Sequence, residues 1–177
     1  MNSKADTEHP PPSTEDLYAA RLDLHPIYDE PSGRQRVRSE ASGHDGAFAG
    51  FDYVSLDFSM LETIVRIERL DWKTALQNVK GVYLIVDKSS GKKYVGSAYN
   101  GVGIWSRWSG YVTSGHGWNV ALVELLANKG VAYARENFRM TLLEAWPYRT
   151  EDRIIIGRET HWKEALLTRG DFGYNRN

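Results

Sequence analysis

Near the C-terminal end of the chain, Ile155, Trp162 and Leu166 fall on one face of a helical repeat, and Glu159 stands in the middle of that apolar stripe. Arg153, Thr160, Lys163 and Glu164 fall on the opposite, polar face. Burying an unpaired carboxylate costs on the order of several kcal/mol, so something positive must face Glu159, either a basic side chain or a metal ion. Arg107 is the natural second charged group, because it borders a stripe of Ile104, Trp108 and Tyr111, with Tyr111 one turn above it. Tyr83 and Tyr94 stand in β-rich runs, where packing on a sheet accounts for them without any chemistry. His116, in Ser114-Gly-His-Gly117, can reach such a site from a loop or simply stand in solvent. A Glu paired with an arginine and doing nothing else explains the first residue as well as catalysis does. The chain contains no cysteine, which excludes disulfides, thiolate nucleophiles and cysteine-ligated zinc.

These residues need elements to position them. Gly81-Val-Tyr-Leu-Ile-Val86 reads as a strand, Asp87 to Lys92 as a tight turn, and Lys93 to Ala98 as the returning strand of a hairpin. Gly101 and Gly103 precede a helix over about 104–112, and a second helix over about 119–129 stops at Gly130. Phe138, Met140 and Leu142 alternate with Arg139 and Thr141, predicting a third strand closed by Pro147. Glu151 or Asp152 opens a last helix that runs to about Arg169, with Gly170 ending it. The expected class is α+β: a small three-stranded antiparallel sheet flanked by helices, in the order β-β-α-α-β-α, with an N-terminal extension. Within that extension, Ser59 and Glu62 form a capping box for a helix over about 59–70, and Asp71 caps a shorter turn carrying Trp72 and Leu76.

Five of the six prolines lie within the first 31 residues, so residues 1–50 read as a largely disordered, proline-rich and acidic tail. A short helix beginning near Ser13 is expected inside it. Residues 51–80 form a helical lead-in, and residues 81–177 the main domain. The net charge of −1 averages two unlike parts. Residues 1–80 carry 9 Lys+Arg against 14 Asp+Glu, and residues 81–177 carry 13 against 9, giving −5 and +4. A field suited to phosphates is therefore confined to the second part. No apolar run reaches the length of a membrane span and no signal peptide opens the chain, so a cytoplasmic location fits.

Taken together, the motifs resemble a known family. Gly81-Val82-Tyr83, then ten residues, then Tyr94-Val95-Gly96 is similar to the paired signature of GIY-YIG nucleases, with Val for Ile at both middle positions. The resemblance continues through Arg107 on the following helix, Glu159 on the late helix and Gly173-Tyr174-Asn175 near the end. Two departures stand out. Tyr111 occupies a place where some phage homing endonucleases of the family carry histidine, and three additional residues around Gly101-Val-Gly103 separate the second motif from its helix.

The resemblance implies a Mg²⁺-dependent endonuclease, with Mn²⁺ able to substitute. Glu159 is then the single protein ligand of the metal, a thin cage that binds largely through the substrate. Arg107 stabilises charge on the transition state. Tyr83 acts as general base or positioner of the attacking water, and Tyr94 aligns water or phosphate. A phenol near pKa 10 needs the metal or a nearby cation to lower it for such a role. Gly81, Gly96, Tyr111, His116 and Asn175 are supporting positions. DNA, with duplex favoured, is the implied partner, in a restriction, defence or mobile-element setting, and two copies are expected for a double-strand break. The competing readings are a non-catalytic DNA-binding module and a catalytic subunit targeted by a partner chain.

Overall fold

The computed structural model describes residues 46–177 apart from position 102. Residues 1–45 of the expected tail, with the helix expected near Ser13, lie outside the described residues. The stretch at 46–50 is instead ordered against the domain, with Phe48 edge-on to Trp72 and the Gly46 carbonyl accepting from the Trp72 indole. In chain order the elements are β1 (Ser55–Asp57), α1 (Phe58–Arg66), α2 (Leu70–Leu76), β2 (Val79–Asp87), β3 (Lys93–Ala98), α3 (Ile104–Ser114), α4 (Val120–Lys129), α5 (Val131–Asn137), β4 (Phe138–Pro147) and α6 (Asp152–Ala165), with single 3₁₀ turns at Phe51–Tyr53 and Gly170–Phe172.

The hairpin forms where the turn chemistry puts it, with Gly81 opposite Ala98 and Val86 opposite Lys93. Asp87 closes it by accepting from the Ser89 N–H at 3.0 Å and the Ser90 hydroxyl at 2.7 Å. The same buried carboxylate accepts from Tyr133 on α5 and Tyr174 near the C-terminus, at 3.0 and 2.7 Å. Burial pushes the Asp87 carboxyl up, but the hydrogen bonds from Tyr174, Ser90 and Tyr133 outweigh it and hold the group below the usual carboxylate range.

The sheet has four antiparallel strands, in the order β1-β4-β2-β3, instead of the three expected. The additional strand, β1, pairs Ser55 with Thr141 and Asp57 with Arg139. Three residues are too few to show an alternating pattern, so this stretch reads in the sequence as part of a helical lead-in. The capping box also fails. Helix α1 starts at Phe58 with Asp57 at its N-cap, which places Ser59 inside the helix. Glu62 is held instead by Arg66 and Arg135. A further helix, α5, follows Gly130, whose positive φ of 79° redirects the chain where the sequence suggested an end.

Successive strand residues point to opposite faces. Tyr83, Ile85 and Met140 enter the larger core with Trp72, Trp108 and Tyr111 from the helices before β4. Val82 and Val95 pack on the other face against Ile155, Trp162 and Leu166, so α6 alone covers that side within the described core. Fully burying each large aromatic contributes on the order of 2–3 kcal/mol, which makes the first face the main source of stability. A β-bulge in the β2–β4 pairing at Val82/Tyr83 shifts the phase of β4, so Glu144 turns toward α6. There it accepts from Arg158 at 2.9 Å and from the Trp162 indole at 3.0 Å, fixing the helix to the sheet.

Helix α6 ends at Ala165, four residues earlier than expected. Leu167 adopts a left-handed φ of 52°, and the Thr168 N–H reaches back to the Lys163 carbonyl at 3.0 Å. That is a Schellman ending built on leucine, so Gly170 is not the terminator. Among the described residues no helix is long and apolar enough to cross a membrane.

Candidate active site

Strand β3 is an outer strand, with α3 on one face of the sheet and α6 on the other. Tyr94 and Ser97 are three positions apart and therefore leave β3 on opposite faces. Part of the strand's free edge is covered by the C-terminal segment. Asn175 mimics a neighbouring strand, accepting from the Val95 N–H at 2.9 Å and donating to the Val95 carbonyl at 2.8 Å. Beyond it, the groups carried by both faces meet at the other end of β3.

Two glycines allow this arrangement. A Cβ on Gly96 would lie 2.6 Å from the Tyr83 hydroxyl, so only glycine lets that ring lie across β3. A Cβ on Gly81 would lie 2.3 Å from the Glu144 carbonyl oxygen, where β4 closes in at the bulge.

Tyr83 is fully buried, and its hydroxyl accepts from Arg107 Nε at 3.0 Å and shares a 3.2 Å hydrogen bond with the Tyr111 hydroxyl. The Arg107 guanidinium also stands over the Tyr111 ring, 5.5 Å from its centroid. Burial pushes the phenols of Tyr83, Tyr94 and Tyr111 above their ordinary range, Tyr83 and Tyr111 furthest. The Arg107 charge pulls against that without reversing it. The cation needed to lower a phenol is therefore present but outweighed by desolvation. Arg107 itself is half-buried among phenols, and among the described residues no carboxylate pairs with it. A partly desolvated guanidinium without a protein counter-charge favours an incoming anion.

Glu159 projects from α6 toward the same end of β3. Its Oε2 accepts from the Ser97 hydroxyl, and its Oε1 pairs with Lys163 Nζ at 2.7 Å. The sequence placed Lys163 on the polar face of the helix. It is instead 5% exposed, with its ammonium also donating to Asn177 at 3.0 Å. The positive group that Glu159 required is thus a lysine one turn along its own helix. Among the described residues no three His, Cys, Asp or Glu side chains cluster as a metal cage. A lone hard carboxylate on an open groove still fits Mg²⁺, which keeps several waters and is held through one or two carboxylates together with substrate phosphates.

Glu159, Arg107, Tyr94 and Ser97 line one cavity of about 390 Å³. An adjoining one of about 350 Å³ shares Glu159, Arg107 and Tyr94 and extends to Trp118, Asn119 and Arg176. Of the residues singled out in the sequence, Tyr94, Arg107 and Glu159 reach the groove. Tyr83 and Tyr111 stand behind Arg107, and Asn175 stands on the edge of β3. His116 lines neither cavity, and its Nδ1 accepts from the Trp118 N–H at 3.1 Å. Trp105 and Trp108 are core residues, whereas Trp118 is exposed. Ser97 and Lys163 were missed. A hydroxyl one step past Gly96 and a lysine four residues after Glu159 are the signals that point to them.

No family model and no curated protein matches the chain. Two solved structures are similar to it. One is the catalytic domain of the intron endonuclease I-TevI in a mutant form, 27% identical, covering 56% of this chain and 94% of that one, with a TM-score of 0.43. The other is the catalytic domain of the homing endonuclease I-TevI, 28% identical, covering 55% and 98%, with a TM-score of 0.42.

Proposed function

We propose that the chain is a Mg²⁺-dependent endonuclease that hydrolyses phosphodiester bonds in DNA. The observation that carries this reading is convergence. A guanidinium without a carboxylate partner and a carboxylate on the opposite layer of the sheet share one open groove at the end of β3, with Tyr94 between them. DNA as the substrate rests on the motif resemblance, and so does the expected restriction, defence or mobile-element setting.

In this reading the scissile phosphate docks on Arg107, which loses little on binding because Tyr83 and Tyr111 already fix its orientation. Glu159 would hold the metal ion, and Ser97, donating to its Oε2, fixes the carboxylate's rotamer. When bound, Mg²⁺ supplies positive charge against the negative charge that develops on the phosphate oxygens. The buried phenols stay protonated at neutral pH. Tyr83 is therefore an anchor for Arg107, and Tyr94 a hydrogen-bond donor that positions phosphate or water in the groove.

The Lys163–Glu159 pair favours a second reading, a DNA-binding module without chemistry, since a satisfied carboxylate has less call for a metal. One experiment separates the two. Purified protein is incubated with supercoiled plasmid in Mg²⁺ or in a chelator. Nicked or linear plasmid in Mg²⁺ alone supports the nuclease. Retarded but intact plasmid under both conditions supports the binder and contradicts the proposal.

A further inference from the structure

Trp118 lines the groove but takes no part in holding Arg107 or Glu159. It is 75% exposed and sits between α3 and α4 with a left-handed φ of 65°. A bulky residue in that region is an outlier, so the surrounding chain must hold it there. The hold is visible. Gly115 and Gly117 turn the backbone on its N-terminal side with φ of 78° and 54°. The His116 imidazole accepts from the Trp118 N–H and also meets the indole edge-on, with ring centroids 5.4 Å apart. On the other side, Asn119 caps α4 by accepting from the Leu122 N–H at 3.0 Å. The backbone is thus held on both sides, while the indole, braced by His116, is left largely in water. It lines the same cavity as Tyr94, Arg107 and Glu159.

We infer that Trp118 is a stacking platform for a nucleobase of the strand whose phosphate docks on Arg107. This deepens the nuclease reading and rests on it. The chemistry is complementary along one groove. The unpaired guanidinium takes the backbone charge, while the braced indole offers a flat apolar surface beside it. Any base has a face that fits such a surface, so the contact holds a strand in place without selecting a sequence. The base must be turned out of its stack or already unpaired. The platform therefore favours single-stranded or locally opened DNA at the groove. His116 acts through Trp118, as a positioning residue that sets the angle of the ring.

The test compares two probes of equal length and charge: an oligothymidylate and an abasic oligonucleotide with the same phosphates and no bases. Affinities are measured for the wild-type chain, Trp118→Ala and Trp118→Phe, in chelator so that no strand is cut. The wild type should bind the oligothymidylate tighter by a factor on the order of ten, the scale of one stacked base. Trp118→Ala should erase that preference while leaving binding of the abasic probe and its salt dependence unchanged. Trp118→Phe, which keeps a flat ring, should retain most of it. A preference undiminished in Trp118→Ala overturns the platform and leaves the nuclease reading intact. A wild type that binds neither probe and cuts no plasmid overturns both.

Discussion

Two glutamates lie where helix α6 meets the sheet, one on each element, and they have opposite characters. Glu144, on β4, is saturated with donors. Arg158 grips it through two nitrogens, and the indoles of Trp146 and Trp162 donate to it as well. Hydrogen bonding from Arg158, helped by the two indoles against the cost of burial, holds its carboxyl below the usual range. Glu159, on α6 itself, has one oxygen on Ser97 and one on Lys163, and it faces a groove that also holds Arg107. The first matches the plain reading of a buried glutamate paired with an arginine. The second is no more exposed, with 15% of its side chain accessible against 18%, but it lines a groove beside a cation that has no carboxylate partner. Burial of a carboxylate alone therefore did not mark the site, and the open side of its surroundings did.

The arginines carry the same contrast and the larger effects. Arg107→Ala should lower the cleavage rate by a factor on the order of 10² or more, with little change in DNA affinity, if the guanidinium acts mainly on the transition state. Arg158→Ala should leave the rate within a few-fold while lowering the melting midpoint. Single-turnover kinetics across DNA concentrations, with a thermal melt of each variant, check both. A loss in Arg107→Ala that excess DNA restores would reduce Arg107 to an ordinary phosphate contact.

Tyr83→Phe removes the acceptor for Arg107 Nε without opening the core, and a loss of about tenfold in rate is expected. The slope of log rate against pH should match that of the wild type. A phenolate base at Tyr83 would instead give a loss of several orders of magnitude and a flattened profile, which would return Tyr83 to the role the motif resemblance suggested.

The smallest effects concern stability against pH. Glu144 and Asp87 have folded pKa values below their unfolded ones near 4, so their contribution is present above that pH and lost as pH falls through the folded values. The phenols of Tyr83, Tyr94 and Tyr111 are raised, so their contribution is complete below about pH 10 and is lost as pH rises beyond it. The melting midpoint should be flat between and fall on both sides, and Glu144→Gln should make the acid limb shallower. An acid limb of the same steepness in that variant would show that Glu144 is not one of its sources.

Much of this frame was legible because it is written in local chemistry. The Asp87–Lys92 turn fixes the hairpin, the alternation from Phe138 to Leu142 marks β4, and the stripe around Glu159 orients α6. What was not legible depends on pairing across distance. The bulge opposite Val82 and Tyr83 breaks the two-residue period of β4, and only that break turns Glu144 toward α6. Strand β1 is defined by its partner rather than by its own three residues. Lys163 reads as polar on a helical wheel because a wheel shows direction and not what the long stem is packed against. The burial of Tyr83 behind Arg107 likewise depends on packing across the sheet and is not written in its own strand.

The central claim is that Glu159, and not Glu144, does the chemistry. The direct measurement is cleavage of supercoiled plasmid in Mg²⁺ by Glu159→Gln and Glu144→Gln, each shown to be folded and each titrated for DNA binding. Glu159→Gln should bind DNA and lose cleavage by a factor on the order of 10³, since the amide keeps the shape and loses the charge that a metal requires. Glu144→Gln should melt earlier and still cut. Near-normal cutting by Glu159→Gln, or equal losses in the two variants, would contradict the account.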